Sequence, residues 1–372
     1  MDELPALATV SNPETPAHDT TAAYAARFPE LARCQHFRKL RWPAPAPAGA
    51  LVSSLGIGTY LGDEDDATDT GYADALRAAI LGGINLIDTA ITYRRQRSER
   101  VIGRVLAEKL VPRDELVVCT KAGYIDFSAG LPAGLIQPGQ VAARSHCMAP
   151  VYLAHQIQCS LENLGLQTID VFYLHNPETQ QAELSREEFY RRLRAAFELL
   201  EKQVAQGRIR AYGAATWSGF RVPPDAVEFL DLQRMVATAR EVAGDSHHFR
   251  FIQLPYNLAM PEAFTLLNQT VDKPPFVSTL NAAFRLGLHT IASASLMNGR
   301  LHQLPAEARE HLQAFLPAAA SDAELALQFV RSTASVTAGL VGMSRVAHVA
   351  ANLRAASVSP APPAQVGKLL GG

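Results

Sequence analysis

The chain has 372 residues, 48% of them hydrophobic and 19% charged, with a formal net charge of −2. That apolar content supports a large core, in two domains or in one big α/β barrel. The near-neutral charge, with basic residues spread along the chain, gives no electrostatic case for a nucleic acid or an anionic membrane, so a small molecule is the expected partner.

No uncharged apolar run reaches about 18 residues, so no membrane span is expected. The first thirty residues carry Asp2, Glu3, Glu14 and Asp19 without a contiguous apolar core, unlike a secretory signal, and a cytoplasmic protein is expected. Residues 1 to 35 are rich in Ala, Thr and Pro, with a modest helical pattern at "AAYAARFPELARC". "PAPAPAGA", residues 43 to 50, lacks the donors a central strand needs. Residues 1–50 are therefore expected to form an arm and hairpin, residues 51–358 the main fold, and 359–372 a tail.

From residue 53 onward, short aliphatic runs alternate with amphipathic helical stretches. "SSLGIGTY" precedes a helix at 69–83, "NLIDTA" one at 98–110 and "LVVCT" one at 151–164. "DVFYLH" precedes 186–206, "IRAYGAAT" 231–243 and "FIQLPYN" 279–287. "TIASAS" precedes 322–332, and "VTAGLVG" precedes 346–356. Eight β-then-α units with no interruption long enough for another domain predict a (β/α)8 TIM barrel. An open Rossmann sheet would want GxGxxG after its first strand, which "LGIG" and "LGGIN" do not supply. The connections at 122–150 and 258–278 are long and follow strands, which places them at the C-terminal face, either as pocket walls or as plain surface excursions.

Asp88 ends the second expected strand, Lys121 the third and His175 the fourth, so the three converge at one edge of the barrel mouth. Each alone has an ordinary explanation: a turn cap, a solvated lysine, a satisfied core histidine. Together, at corresponding positions of successive units, they point to a site. A buried Asp needs a partner, and Lys121 on the next strand is the obvious one. A cation beside Tyr93 is expected to pull the phenol down from its reference value of about 10 and make it a usable acid near neutrality. His175 would hydrogen-bond the same substrate oxygen. No side chain supplies a hydride, so a cofactor is required.

Cys34, Cys119, Cys147 and Cys159 show neither CxxC nor metal-like spacing with His, which predicts four reduced thiols and no zinc site. His247 and His248 are adjacent in a polar stretch and are expected to be solvated.

These residues resemble the aldo-keto reductase superfamily, and the likeness spans essentially the whole barrel from "SSLGIGTYLG" to "ANL". "GINLIDTAITY" with "SERVIG" is similar to the family's signature around its catalytic Asp and Tyr. "VVCTKAG" resembles its Lys strand, and "SLENLGLQTIDVFYLHNPE" its helix and strand leading to the active-site His. The resemblance implies a tetrad of Asp88, Tyr93, Lys121 and His175 that reduces an aldehyde or ketone with NADPH, or runs the reverse oxidation. It also implies that Gly58 and Thr59 approach the nicotinamide half and that Gln253 binds the carboxamide. Gly342, Ser344, Arg345, His348 and Asn352, in "GMSRVAHVAANL", would hold the adenosine and its 2'-phosphate. A Gly-Ser-Arg turn at a helix start offers amides, a hydroxyl and a guanidinium to one phosphate, or is an ordinary cap with a solvated arginine.

The sequence departs from the family pattern in three places. The Ser-Asn pair after the fifth strand is Ala215-Thr216, the aromatic that stacks on the nicotinamide aligns with Ser293, and the glycines after Tyr93 are replaced by Arg94, Arg95, Gln96 and Arg97. Those arginines either select an anionic substrate or pair with Glu99 and Asp65 or solvent. Tyr60, Tyr124, Phe127, Trp217 and Met297 follow strand ends and are candidate pocket walls, Trp217 first among them. The expected function is NADPH-dependent carbonyl reduction, with a cofactor-binding regulatory or sensor subunit as the rival.

Overall fold

The structure, a computed structural model, describes residues 20–42, 50–315 and 319–370. The expectations for residues 1–19 and for the proline-rich stretch at 43–49 lie outside the described residues. The eight strands expected from the sequence form as β1 (Leu55–Gly58), β2 (Leu86–Asp88), β3 (Val117–Ala122), β4 (Ile169–His175), β5 (Ile209–Ala215), β6 (Phe249–Pro255), β7 (His289–Ser293) and β8 (Val336–Gly342). They are parallel and close into a barrel, with β8 pairing back onto β1 through Gly342 and Gly58.

Side-chain alternation decides what faces the interior. Leu86, Val117, Cys119, Val171, Tyr173, Ala211, Phe251, Ile291, Ala338 and Leu340 form one buried cluster inside the barrel. Following the inward positions of each strand to its C-terminal end reaches Gly58, Asp88, Lys121, His175, Ala215, Gln253, Ser293 and Gly342. These eight positions ring the C-terminal mouth. The alternate residues, among them Ile57, Ile87, Val118, Phe172, Leu174, Tyr212, Ile252 and Val341, pack outward into the larger core against the helices.

Those helices are α1 (Asp66–Gly82), α2 (Arg97–Ala107), α3 (Pro150–Leu164), α4 (Arg186–Ala205), α5 (Leu232–Ala243), α6 (Thr279–Arg285), α7 (Asp322–Ser332) and α8 (Val346–Ala356). α1 starts three residues earlier than its hydrophobic pattern suggests, because Asp65 caps it by accepting from the Thr68 amide at 2.8 Å. α2 ends sooner than expected, and Lys109 just beyond it is left-handed at φ 53°.

A hairpin of Phe37–Leu40 and Ala50–Ser53 closes the N-terminal end of the barrel. Leu40, Ala50 and Val52 join the interior cluster, and the Trp42 ring lies 5.5 Å from that of Phe251. The hairpin thus runs to Ser53, past residue 50. Elements not anticipated include a helix at Ala306–Phe315 between β7 and α7, and another at Pro363–Leu369 in the expected tail, with Val366 buried. The 122–150 connection carries a two-residue hairpin, Val141–Ala142 with His146–Cys147. The 258–278 connection folds into Leu267–Val271 and Lys273–Ser278. It braces the segment after β5, with Asn268 donating to the carbonyls of Phe220 and Val222.

Candidate active site

Asp88, Lys121 and His175 stand at the inward C-terminal positions of three consecutive strands, and Tyr93 hangs over them from the turn after β2. Lys121 Nζ donates to Asp88 Oδ1 at 2.5 Å and to the Thr89 carbonyl at 2.7 Å. It lies 5.1 Å from the centroid of the Tyr93 ring. The rings of Tyr93 and His175 meet edge to face at 5.9 Å. From the opposite wall, Gln253 Nε2 donates to Asp88 Oδ2 at 2.8 Å. Both carboxylate oxygens are therefore held, which is what keeps a charge in so dry a place affordable.

Burial depresses the Lys121 ammonium, but the Asp88 carboxylate beside it outweighs that and leaves Lys121 above its ordinary value, protonated. The expectation for Tyr93 is corrected. Burial raises the phenol above its usual value, and the Lys121 charge offsets only part of that, with Asp88 adding to the rise. The same enclosure that brings Lys121 close strips water from the phenolate. His175 is held well below the ordinary imidazole value, by burial first and then by Lys121 and His146, so it is neutral. Its Nδ1 is buried without a partner.

Around this cluster stand aromatic walls. The half-exposed Tyr60 ring covers Tyr93 at 5.0 Å. Tyr124 presents its edge to His175 at 5.3 Å and to His146 at 5.1 Å. Its hydroxyl accepts from Asn176 Nδ2 at 3.1 Å and pairs with Thr179 Oγ1 at 3.2 Å. His146 was not signalled by the sequence, yet its Nε2 donates to the His175 carbonyl at 2.7 Å. Gly123 lies between the two: a Cβ there would sit 2.5 Å from that carbonyl and 2.7 Å from His146 Nε2, so only glycine fits. Trp217 stands half exposed just past β5 and Phe127 is 65% exposed on the 122–150 connection; the ring contacts around the tetrad are made by Tyr60 and Tyr124 and not by Trp217, Phe127 or Met297.

The sequence matches the profile of the Aldo/keto reductase family over residues 54–370. The chain belongs to the aldo/keto reductase family. It is 36% identical over 180 residues to a D-threo-aldose 1-dehydrogenase from a Pseudomonas species, a match covering 46% of this chain and 52% of that protein. It is 29% identical over 172 residues to an NADH-specific methylglyoxal reductase of Escherichia coli, covering 44% and 48%. The chain thus spans about half the length of the curated relatives it matches. Among solved structures it is similar in fold to an aldo/keto reductase from Klebsiella pneumoniae in complex with NADP and acetate, with 20% identity, TM-score 0.60, and 89% and 93% of the two chains covered. A Bacillus halodurans aldo-keto reductase in its holo form gives TM-score 0.62 at 20% identity, with 90% and 96% covered.

In this aldo/keto reductase the turn after Tyr93 departs from a glycine-rich pattern at a conformational cost. Arg94, Arg95 and Gln96 are all left-handed, at φ 49°, 50° and 68°, where non-glycine residues are strained. Arg94 offsets this by donating to Asp69 Oδ1 at 2.6 Å and to the Asp63 and Asp65 carbonyls, and Asp69 also receives Arg97 and Arg104. Arg95 pairs with Glu64 at 3.1 Å. These guanidinium groups are tied to the start of α1 and do not form an anion-selective rim. Nor are Glu99 and the Asp65 side chain their partners: Glu99 is buried against Thr120 and Asn163.

The positions expected to meet a cofactor lie in two groups. Gly58, Thr59, Thr216, Gln253 and Ser293 ring the mouth, with Thr59 Oγ1 donating to the Asp88 carbonyl at 3.3 Å and Thr216 Oγ1 buried without a partner. The Gln253 amide nitrogen is committed to Asp88. Gly342, Ser344, Arg345 and His348 sit where β8 feeds α8; Arg345 and His348 are exposed and Asn352 is buried. Arg345 takes the cap position of α8 without closing it with its own side chain.

Two further features lie elsewhere in the chain. The four cysteines are free, and among the described residues no His, Cys, Asp and Glu cluster suits a metal. His247 and His248 are not solvated: His247 is buried against Arg250, and His248 Nδ1 pairs with Glu201 at 2.7 Å. Among the described residues no helix is long and apolar enough to cross a membrane.

Proposed function

We propose that this chain reduces an aldehyde or ketone to the alcohol, or runs the reverse oxidation, with Tyr93 delivering the proton and NADPH as the hydride source. The observation that carries the reading is the convergence of Tyr93, Lys121, Asp88 and His175 on one edge of the mouth. The relatives bear names of carbonyl and alcohol oxidoreductases.

The residues present suit a nicotinamide cofactor. Thr216 Oγ1 and His175 Nδ1, at the C-terminal ends of β5 and β4, are buried polar atoms without a protein partner, which a bound group could satisfy. At the other group, α8 presents its first-turn amides beside Ser344 and the exposed Arg345, a setting for a phosphate. When bound, the cofactor supplies a hydride to the carbonyl carbon.

The protein's own part is positioning and proton transfer. The neutral His175 orients the carbonyl oxygen by hydrogen bonding. Tyr93, kept protonated by its burial, gives its proton to the nascent alkoxide, which is far more basic than a phenolate. Lys121 then stabilises the phenolate left behind, and Asp88 and Gln253 keep the ammonium charged and in place. In the reverse direction Tyr93 is the base.

The relatives divide on cofactor, one being named NADH-specific and the Klebsiella protein having been crystallised with NADP. Arg345 favours the 2'-phosphate of NADPH here. Free thiols and a small-molecule substrate fit a cytoplasmic setting. Purified protein with NADPH and a panel of aldehydes should consume the nicotinamide absorbance; tight NADPH binding with no turnover on any of them would favour a regulatory subunit.

A further inference from the structure

Immediately after His175 the chain turns through the left-handed Asn176, φ 48°, into a short 3-10 helix, Pro177–Ala182. Four successive side chains of that helix each hold a different neighbour. Glu178 Oε1 accepts from the backbone amides of Trp217 at 2.7 Å, Ser218 at 3.1 Å and Gly219 at 3.5 Å. Thr179 pairs with the Tyr124 hydroxyl. Gln180 Nε2 meets His146 Nδ1 at 3.0 Å and donates to the His146 carbonyl at 2.9 Å. Gln181 donates to the Phe229 carbonyl at 3.1 Å, at the far end of the β5–α5 connection. Both walls beside His175 are thereby fastened to one buried segment.

Glu178 is the critical tie. It is 3% exposed, and among the described residues it has no cationic partner and its Oε2 is buried with no hydrogen bond. A buried carboxyl so placed is retained at a cost unless its contacts do something. Its contacts are three consecutive amides of the strand-end loop that presents Trp217, on the rim directly beyond the inward Ala215. Asn268 and Thr279 hold the loop further on, at Phe220 and Val222, and the Glu178 carboxylate is the side chain that holds it at Trp217 itself.

We infer that Glu178 is a positioning residue that sets Trp217 as the substrate-side wall and so determines the size selectivity of the site. The inference rests on the carbonyl-reductase reading above. Loss of the anchor should let Trp217 swing, and bulky carbonyl substrates would lose a wall they pack against while the smallest would lose little. Removing such a contact costs about tenfold or more in discrimination.

The test uses the full chain with Trp42→Phe, leaving Trp217 as the one tryptophan of the two in the sequence. Glu178→Ala should shift Trp217 emission to the red and increase its quenching by acrylamide. It should also raise KM for a bulky aromatic aldehyde about tenfold relative to a three-carbon aldehyde, with kcat for the latter little changed. Glu178→Gln, which keeps an acceptor oxygen, should recover most of both effects. If Glu178→Ala does not fold, Glu178→Asp, whose shorter side chain falls short of the three amides, takes its place: its selectivity loss and that of Trp217→Ala should not multiply in the double variant. Unchanged emission and quenching with an unchanged KM ratio, or fully multiplicative losses, would overturn the inference. If the parent protein turns over no carbonyl, the reductase reading fails, and the fluorescence alone decides whether Glu178 holds Trp217.

Discussion

Gln253, on β6, reaches across the full width of the barrel to Asp88 on β2, donating from Nε2 to Oδ2 at 2.8 Å. Lys121 occupies the other carboxylate oxygen. The carboxylate is therefore locked from two sides, and the ammonium it supports stands under the Tyr93 ring with no freedom to leave. The site is organised before any substrate arrives, which is where electrostatic catalysis gains most.

The pH dependence of reduction follows from the direction of the Tyr93 shift. With the phenol raised above its usual value and His175 held well below its own, neither group changes charge between about pH 6.5 and 9. Reduction at saturating cofactor should be flat across that range and fall only under alkaline conditions, whereas oxidation, which needs the phenolate, should climb throughout. Rate profiles in both directions check this, and a limb in the reductive profile near pH 7 would show that another acid delivers the proton.

Arg345→Ala should weaken NADPH by about tenfold or more, the usual worth of a charged hydrogen bond, and change NADH binding little. Titration of each dinucleotide by quenching of protein fluorescence measures the contrast. Equal weakening of both would remove Arg345 from the 2'-phosphate.

Arg95 adopts φ 50° while its side chain makes one exposed ion pair with Glu64. Exposed pairs contribute little, so Arg95→Gly should stabilise the protein by roughly 1 kcal/mol, read as a higher Tm. A lower Tm would mean the Glu64 pair outweighs the backbone strain. Arg94 is the opposite case, because its buried contacts with Asp69 hold the turn that carries Tyr93.

Three buried histidines predict acid sensitivity. Burial pushes His36 down to about 3, and His146 and His289 each down to about 4. A histidine depressed in the folded state takes its proton more readily when unfolded, so its contribution is intact above the unfolded value of about 6.5 and is lost as pH falls toward 4. Each costs up to about 1.4 kcal/mol per pH unit in that window. Tm should fall progressively from pH 6.5 to 4.5, and a constant Tm over that interval would contradict the assignment of these rings as buried and neutral.

The barrel was legible because its strands and helices announce themselves locally: "DVFYLH" and "VTAGLVG" are β-branched or aliphatic runs, and the helices behind them carry an apolar stripe. Asp88, Lys121 and His175 were legible because a charged or polar residue ending an apolar strand has few reasons to be there. Glu178, Gln180 and His146 were not, since nothing in "NPETQQ" or in the 122–150 connection indicates that Gln180 will meet His146, 34 residues earlier. Tyr93's acidity was misjudged for a related reason: proximity to Lys121 can be inferred from topology, but the loss of water that outweighs it depends on packing. The arginine run failed the same way, since Asp69 as its partner emerges only once α1 lies against the turn.

The central claim is that Tyr93 is the proton donor of a preassembled site, and Tyr93→Phe tests it most directly. Measured at saturating NADPH with the parent's best aldehyde, kcat should drop by roughly two to four orders of magnitude, while the NADPH dissociation constant stays within about threefold of the parent. A variant that retains near-parental kcat would contradict the claim.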